Sequence, residues 1–190
     1  MKKLRLNKGH IEHFFEYNLF IPERMIYLGG ESIDEDTSSN IIKALNLLKA
    51  TNSTKQITLV INSLGGCEYD AWAIYDAIRS LKTPVKAITY GSCMSAATII
   101  FLACKYRMIG QNCVFMLHDG TDGINSHVRN TERWGDFSKR YRKYAYKIYY
   151  EAIKKKKLRM TMKQVEEMCA FDTILTAKEA VDYGFAHKII

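Results

Sequence analysis

Residues 91–106, Gly-Ser-Cys-Met-Ser-Ala-Ala-Thr-Ile-Ile-Phe-Leu-Ala-Cys-Lys-Tyr, constrain the fold more than any other stretch of the chain. Small residues crowd the start, and no charge occurs before Lys105. Ile99, Ile100, Leu102 and Ala103 leave no polar face, so the stretch reads as a tight loop entering a helix buried on every side. Such a helix needs layers of structure around it. Ser95 sits at the turn into this helix, where unpaired backbone N–H groups and the positive end of the dipole suit a nucleophile and its oxyanion. The same position suits an ordinary helix cap. Cys93, two residues earlier, is a rival nucleophile on pattern alone.

The flanking segments supply the layers. Residues 25–28 are a short apolar run closed by Gly29 and Gly30, a strand. A helix opening at Asp36 or Thr37 carries the stripe Ile41, Ile42, Leu45 and Leu48 and stops at Asn52-Ser53. Residues 57–61 alternate as a strand and run into Asn62-Ser63-Leu64-Gly65-Gly66, where paired glycines permit positive φ and close backbone approach. A second helix covers residues 68–81 on the stripe Ala71, Ile74, Ile78 and Leu81; Pro84 blocks its continuation, and residues 85–89 form the next strand. This alternation predicts an α/β fold with parallel strands. A short strand near residues 107–109 follows, then a turn at Gly110-Gln111-Asn112 and an apolar strand over 114–117 that delivers His118 to its end. Asp119-Gly120 and Asp122-Gly123 make a loop. Thr161 with Gln164 and Thr176 with Glu179 form capping boxes for two short helices, the second stopped by Gly184. Between them Phe171-Asp172-Thr173 reads as a loop at the edge of the core.

With 190 residues the chain fits one domain. Residues 1–24, polar with an aromatic cluster at Phe14, Phe15, Tyr17 and Phe20, are read as an N-terminal arm ahead of a domain over 25–190. No window approaches a membrane span, and an intracellular soluble protein is expected. Five cysteines, Cys67, Cys93, Cys104, Cys113 and Cys169, show no C-x-x-C spacing, so no disulfide framework or metal site is indicated. The net charge of +8 lies largely in residues 139–159, with ten Lys or Arg against the single Glu151. Interleaved tyrosines would suit nucleic acid. Phe137, Tyr141, Tyr144, Ile148 and Ala152, however, recur at helical spacing, and an amphipathic helix with a solvated cationic face is the stronger reading.

Acyl transfer by serine requires a base, an acid to orient it and donors for the oxyanion. Ser95, His118, Asp172 and the Gly65-Gly66 turn are candidates for each part. His10, His13, His127 and His187 are less well placed, lying in the arm, a loop or the tail. The order Ser, His, Asp differs from the chymotrypsin, subtilisin and α/β-hydrolase orders.

Several stretches carry a resemblance. Arg24-Met25-Ile26-Tyr27-Leu28-Gly29, Ile61-Asn62-Ser63-Leu64-Gly65-Gly66, Ala73-Ile74-Tyr75-Asp76, residues 91–97, Met116-Leu117-His118, Asp172 with Leu175-Thr176-Ala177-Lys178-Glu179-Ala180, and Tyr183-Gly184 resemble the ClpP family in order and spacing. That family comprises the proteolytic subunits of ATP-dependent Clp serine proteases. The resemblance covers about residues 20–190. It implies Ser95 as nucleophile, His118 as general base and then acid, Asp172 as orienting carboxylate, and the backbone N–H groups of Gly66 and Ala96 as oxyanion hole, with no metal or bound cofactor. The implied fold is crotonase-like, stacked ββα units with a protruding helical handle over about 126–158. The implied assembly is a homo-oligomeric, heptameric ring that cleaves unfolded polypeptides fed by an AAA+ ATPase. Neither membrane nor nucleic acid is an implied partner.

Departures from the pattern qualify the assembly. Leu64 stands for proline in the turn, Ala96-Ala97 for Met-Gly after the serine, and Asp119-Gly120 for Gln-Pro after the histidine. Ala170-Phe171 replaces the Asp-Arg pair that links rings, and Val60 replaces the aromatic that helps to dock the unfoldase. This set suits a phage-encoded or accessory member, so a capsid or scaffold maturation peptidase without an ATPase, or an inactive ring subunit, stands as the alternative. A crotonase-type acyl-CoA enzyme is disfavoured, since that chemistry does not call for an aligned Ser, His and Asp.

Overall fold

Strand β4 (Val85–Met94) is the hinge of the architecture in the computed structural model, which describes residues 7–30, 32–121 and 127–190. Its first half, Lys86 to Thr89, pairs in parallel with β5 (Tyr106–Ile109). Its second half, Ser92 to Met94, pairs in parallel with β6 (Val114–Leu117). Gly91, at φ 61°, bends the strand between the two partners, and a Cβ there would meet Asn62 Oδ1 at 2.6 Å. Only glycine allows that bend beside that neighbour.

On the other side of β4 lie β3 (Ile57–Ser63) and β2 (Met25–Gly29), both parallel, and then β1 (Leu19–Phe20), antiparallel to β2. The strand order is β1-β2-β3-β4-β5-β8, with β8 (Lys188–Ile189) parallel to β5. Strand β7 (Thr173–Leu175) runs antiparallel to β6. The all-parallel expectation therefore holds for the centre only. The edges β1 and β7 run antiparallel to their neighbours; for β1 the reason is local, since the turn Ile21–Glu23 is too short for a crossover to a parallel strand.

The helices cover the sheet. Between β2 and β3 runs α2 (Glu35–Thr51), capped by Asp34, whose carboxylate accepts the Thr37 N–H at 2.8 Å. Helix α3 (Glu68–Ser80) buries Ala71, Ile74 and Ile78, the stripe its spacing predicts. Helix α4 (Ala96–Ala103) is buried on nearly all sides, from Ala96 through Phe101 and at Ala103. Both predicted capping boxes form, on α6 (Met162–Cys169) and α7 (Ala177–Tyr183), and Gly184 ends α7 in the left-handed conformation. Residues read as an arm carry regular structure: α1 (Lys8–Tyr17) is started by a capping box between Asn7 and His10. Residues 1–6 and the Asp122-Gly123 loop lie outside the described residues.

The long basic helix α5 spans Val128–Lys155 within the expected handle, residue 126 lying outside the described residues. Its buried face differs from the expected stripe. Tyr146, Tyr149, Ala152 and Ile153 face the core, whereas Tyr144 is 59% exposed. The helix carries two aromatic stripes, and the core takes the one whose hydroxyls find partners: Tyr149 bonds Thr98 and Tyr146 bonds Asp119. Tyr141 and Tyr144 meet Trp72 of α3 edge-on instead. Among the described residues no helix is long and apolar enough to cross a membrane.

Arg107 is buried without a carboxylate. Its guanidinium donates to the carbonyls of Phe185, Cys104 and Gly184 at 2.6, 3.0 and 3.1 Å, closing the end of α7 against β5. Its backbone N–H donates to His187 Nδ1 at 3.0 Å, a bond only the neutral imidazole accepts. Desolvation, then the Arg107 charge, hold the His187 pKa below its ordinary value. A histidine with a depressed folded pKa contributes stability that is complete above the unfolded value and is lost as pH falls through the folded one. The unfolding temperature is accordingly expected to drop between about pH 7 and about pH 5, and to drop less in His187→Gln, whose amide oxygen still accepts from Arg107. Calorimetric scans of the two proteins across that range check this.

Candidate active site

The site is assembled by strand register. Parallel pairing of β4 with β6 sets Met94 opposite Met116, and the next residue, Ser95, donates its N–H to the Met116 carbonyl at 2.8 Å. Antiparallel pairing of β6 with β7 sets Leu117 opposite Thr173. One step further, His118 stands across from Asp172. Three strand ends therefore converge, and the side chains meet: Ser95 Oγ lies 2.8 Å from His118 Nε2, and His118 Nδ1 lies 2.8 Å from Asp172 Oδ1. With Nδ1–H donating to the carboxylate, Nε2 is the acceptor for the serine hydroxyl. Asp172 thus precedes a strand, β7, rather than the helix that its sequence context suggests.

The helix-cap reading of Ser95 does not describe its side chain. Ser95 occupies the cap position of α4 but makes no side-chain cap bond, and its backbone adopts φ 51°, ψ −128°. A non-glycine residue in such a conformation costs about 1–3 kcal/mol, and observed strain of this kind concentrates at functional sites. The chain turns there from strand directly into buried helix, projecting Oγ toward His118. Thr98 fixes the turn: its hydroxyl donates to the Ser95 carbonyl at 2.7 Å and lies 2.7 Å from Tyr149 Oη. Since Thr98 has spent its one proton, Tyr149 donates to it. Burial pushes the Tyr149 pKa far up and keeps that proton in place.

Cys93, the rival nucleophile, is fully buried, and burial followed by neighbouring Cys113 raises its pKa well above the ordinary thiol value. It is a core thiol. The other histidines lie on other elements: His10 serves the cap of α1, His13 lies within α1, His127 opens α5, and His187 accepts from Arg107.

The glycine turn closes the other side. Ser63 Oγ accepts the Gly65 N–H at 3.1 Å, Asn62 Oδ1 accepts the Ser92 N–H at 3.1 Å, and Ile33 brackets the turn by donating to Gly65 O and accepting from Cys67 N–H. None of these bonds uses the Gly66 N–H. Ala96 is the first residue of α4, so its N–H has no partner within the helix. Gly66 and Ala96 both line a cavity of about 420 Å³ that also contains Ser95, His118, Leu64 and Tyr149. A Cβ on Gly65 would lie 2.8 Å from Ser95 Cβ and 2.9 Å from Met94 O, at φ +105°. Gly65→Ala is expected to cost about 2 kcal/mol or more of stability, and to lower any reaction at Ser95 by about 100-fold by displacing serine from its donors. Thermal unfolding and serine labelling on the same sample check both effects.

One group was not expected in its role. Asp119, which reads as an extra carboxylate beside the base, accepts Arg142 Nη1 at 2.8 Å and Tyr146 Oη at 2.6 Å, both from α5. Its position after the histidine is legible in the sequence; its partners, over twenty residues away, are not.

Comparison with known proteins places the chain in a family. The Clp protease family model matches residues 8–190. ATP-dependent Clp protease proteolytic subunit 2 of Treponema denticola is 34% identical over 172 residues, covering 90% of this chain and 83% of that protein. The ATP-dependent Clp protease proteolytic subunit of Deinococcus radiodurans is 27% identical over 178 residues, covering 92% of this chain and 83% of that protein. Among solved structures, a mutant of ClpP1 from Listeria monocytogenes superposes with a TM-score of 0.79 at 27% identity, covering 90% of this chain and 92% of that one. With its ClpP-like fold and near-complete match, the chain belongs to the Clp protease family.

Proposed function

We propose that this chain is a serine endopeptidase subunit in which Ser95, His118 and Asp172 hydrolyse peptide bonds through an acyl-enzyme. The two 2.8 Å contacts that join the three side chains carry the reading. His118 Nε2 takes the Ser95 proton as Oγ attacks the scissile carbonyl carbon. The carbonyl oxygen becomes an oxyanion and accepts the N–H groups of Gly66 and Ala96, donors that cost no reorganisation because the turn and the helix start already hold them. The imidazolium then gives its proton to the departing amine, leaving the acyl group on Oγ. Water, deprotonated by the same Nε2, attacks the ester and frees the serine. Asp172 keeps the imidazole in the tautomer with Nδ1–H and stabilises the cation between the two halves.

A cavity of about 420 Å³ accommodates a side chain and its adjoining backbone, not a folded domain. Unfolded polypeptide is accordingly the proposed substrate, supplied by an AAA+ unfoldase. The proposed peptidase domain covers residues 25–190, with β1 (Leu19–Phe20) of the preceding arm added to its sheet. The proposed assembly is a heptameric ring; exposed apolar side chains such as Phe171 (84%) and Ile174 (66%) support association as such. The test is incubation of the purified, assembled protein with a fluorescently labelled unfolded polypeptide. Release of short peptides that stops in Ser95→Ala supports the proposal; intact substrate after prolonged incubation with every oligomeric form overturns it.

A further inference from the structure

Strand β6 ends at Leu117, so His118 is the first residue beyond the ladder and needs another support. That support is concentrated at the following residue. The Asp119 N–H donates to the Cys169 carbonyl at 2.6 Å, at the end of α6 and three residues before Asp172. Its carboxylate is taken up completely by α5: Tyr146 Oη donates to Oδ1 at 2.6 Å and Arg142 Nη1 to Oδ2 at 2.8 Å. The pair is well shielded, with side chains 33% and 18% exposed for Arg142 and Asp119. Tyr146 is buried, and burial, then its bond to Asp119, push its pKa up, so it stays a donor.

Two consequences follow from the geometry. Asp119 follows His118 directly, so pinning its backbone to Cys169 and its carboxylate to α5 limits how far His118 can swing away from Ser95. The Asp119 carboxylate, held by two donors, is also withdrawn from competition with Asp172 for His118 Nδ1. Asp172 itself is 62% exposed and sits on a short connection, so its alignment depends on the Cys169 tether behind it. Resting on the reading of Ser95 as nucleophile, we propose that Asp119 is a positioning residue for the reaction, bracing the His118–Asp172 pair against α5 through Arg142 and Tyr146. Asp119 lines the same cavity as Ser95 and His118, but its carboxylate bonds Arg142 and Tyr146 rather than the reacting atoms.

The test compares the parent with Asp119→Ala, Asp119→Asn and Tyr146→Phe in the assembled protein, using a small fluorophosphonate and a short chromogenic peptide. Asp119→Ala is expected to lower the labelling rate and kcat by about 10- to 100-fold, the effect of a base displaced by about 1 Å, with KM within about twofold. Asp119→Asn, whose amide oxygen still accepts from Tyr146, is expected to recover to within about fivefold of the parent, and Tyr146→Phe to lose about threefold. A merely structural role would lower the unfolding temperature but leave the labelling rate of the folded fraction unchanged. Folded Asp119→Ala that labels within about twofold of the parent overturns the proposal. Should Asp119→Ala not fold, the graded losses in Asp119→Asn and Tyr146→Phe support it, and parental rates in both overturn it. Equal labelling of parent and Ser95→Ala would instead remove the Ser95 assignment, and the proposal with it.

Discussion

Ser95→Ala is expected to lower kcat for peptide hydrolysis by on the order of 10⁴-fold or more while leaving the unfolding temperature close to that of the parent. The two halves of that result discriminate between roles. A serine that merely capped α4 would lose about 0.5–2 kcal/mol on truncation and leave chemistry untouched. Here the hydroxyl makes no cap bond and bonds His118 Nε2 at 2.8 Å, so its removal deletes the proposed nucleophile and no helix-end contact. Alanine also keeps the Cβ, so the positive-φ backbone at 51° is neither relieved nor made worse. Steady-state hydrolysis and a thermal scan on one preparation measure both. Destabilisation with activity retained would return Ser95 to the role of a cap.

Removal of the proposed base is expected to be almost as severe. His118→Ala leaves Oγ as an unactivated alcohol and the leaving amine without an acid, so kcat is expected to fall by about 10⁴-fold. Asp172→Asn tests the third member separately. An amide can present its NH₂ to Nδ1 and so favour the wrong tautomer, an effect worth about 10⁴ where the carboxylate is buried. The Asp172 side chain is 62% exposed, so water competes for Nδ1 and screens the charge. A loss nearer about 10²-fold is therefore expected for Asp172→Asn, smaller than for His118→Ala. Kinetics on a short peptide decide it; activity within about threefold of the parent in Asp172→Asn would show that the 2.8 Å contact does not serve the reaction.

The elements legible in the sequence are those specified locally. Strand β6 falls on Val114–Leu117 because its apolar run is bounded by a turn and by His118. The two short helices start where Thr161 and Thr176 meet Gln164 and Glu179, since a capping box is a contact across three residues. What was hidden is decided by distant partners. Helix α1 buries no residue: Ile11, Phe14 and Phe15 recur at helical spacing but do not enter the core, and its cap from Asn7 to His10 is the other local sign of it. Strands β7 and β8 have three and two residues, too few for periodicity, and exist through pairing with β6 and β5. The face of α5 that is buried was settled by Thr98 and Asp119, which lie on other elements.

The candidate site divides in the same way. Ser95, His118, Asp172, Gly66 and Ala96 could each be named from neighbours in sequence and from family resemblance. Their alignment could not, because it depends on two strand registers, β4 with β6 and β6 with β7, and a shift of one residue in either would face the side chains apart. The Asp119 brace was equally out of reach, since Arg142 and Tyr146 lie a helix away.

The central claim is that Ser95 is an activated nucleophile, and its most direct test is intact-mass analysis after exposure to a fluorophosphonate, with peptide mapping of the adduct. One adduct per chain is expected, on Ser95, absent from Ser95→Ala and strongly reduced in His118→Ala. No adduct in any oligomeric form, or an adduct that persists in Ser95→Ala, would contradict it.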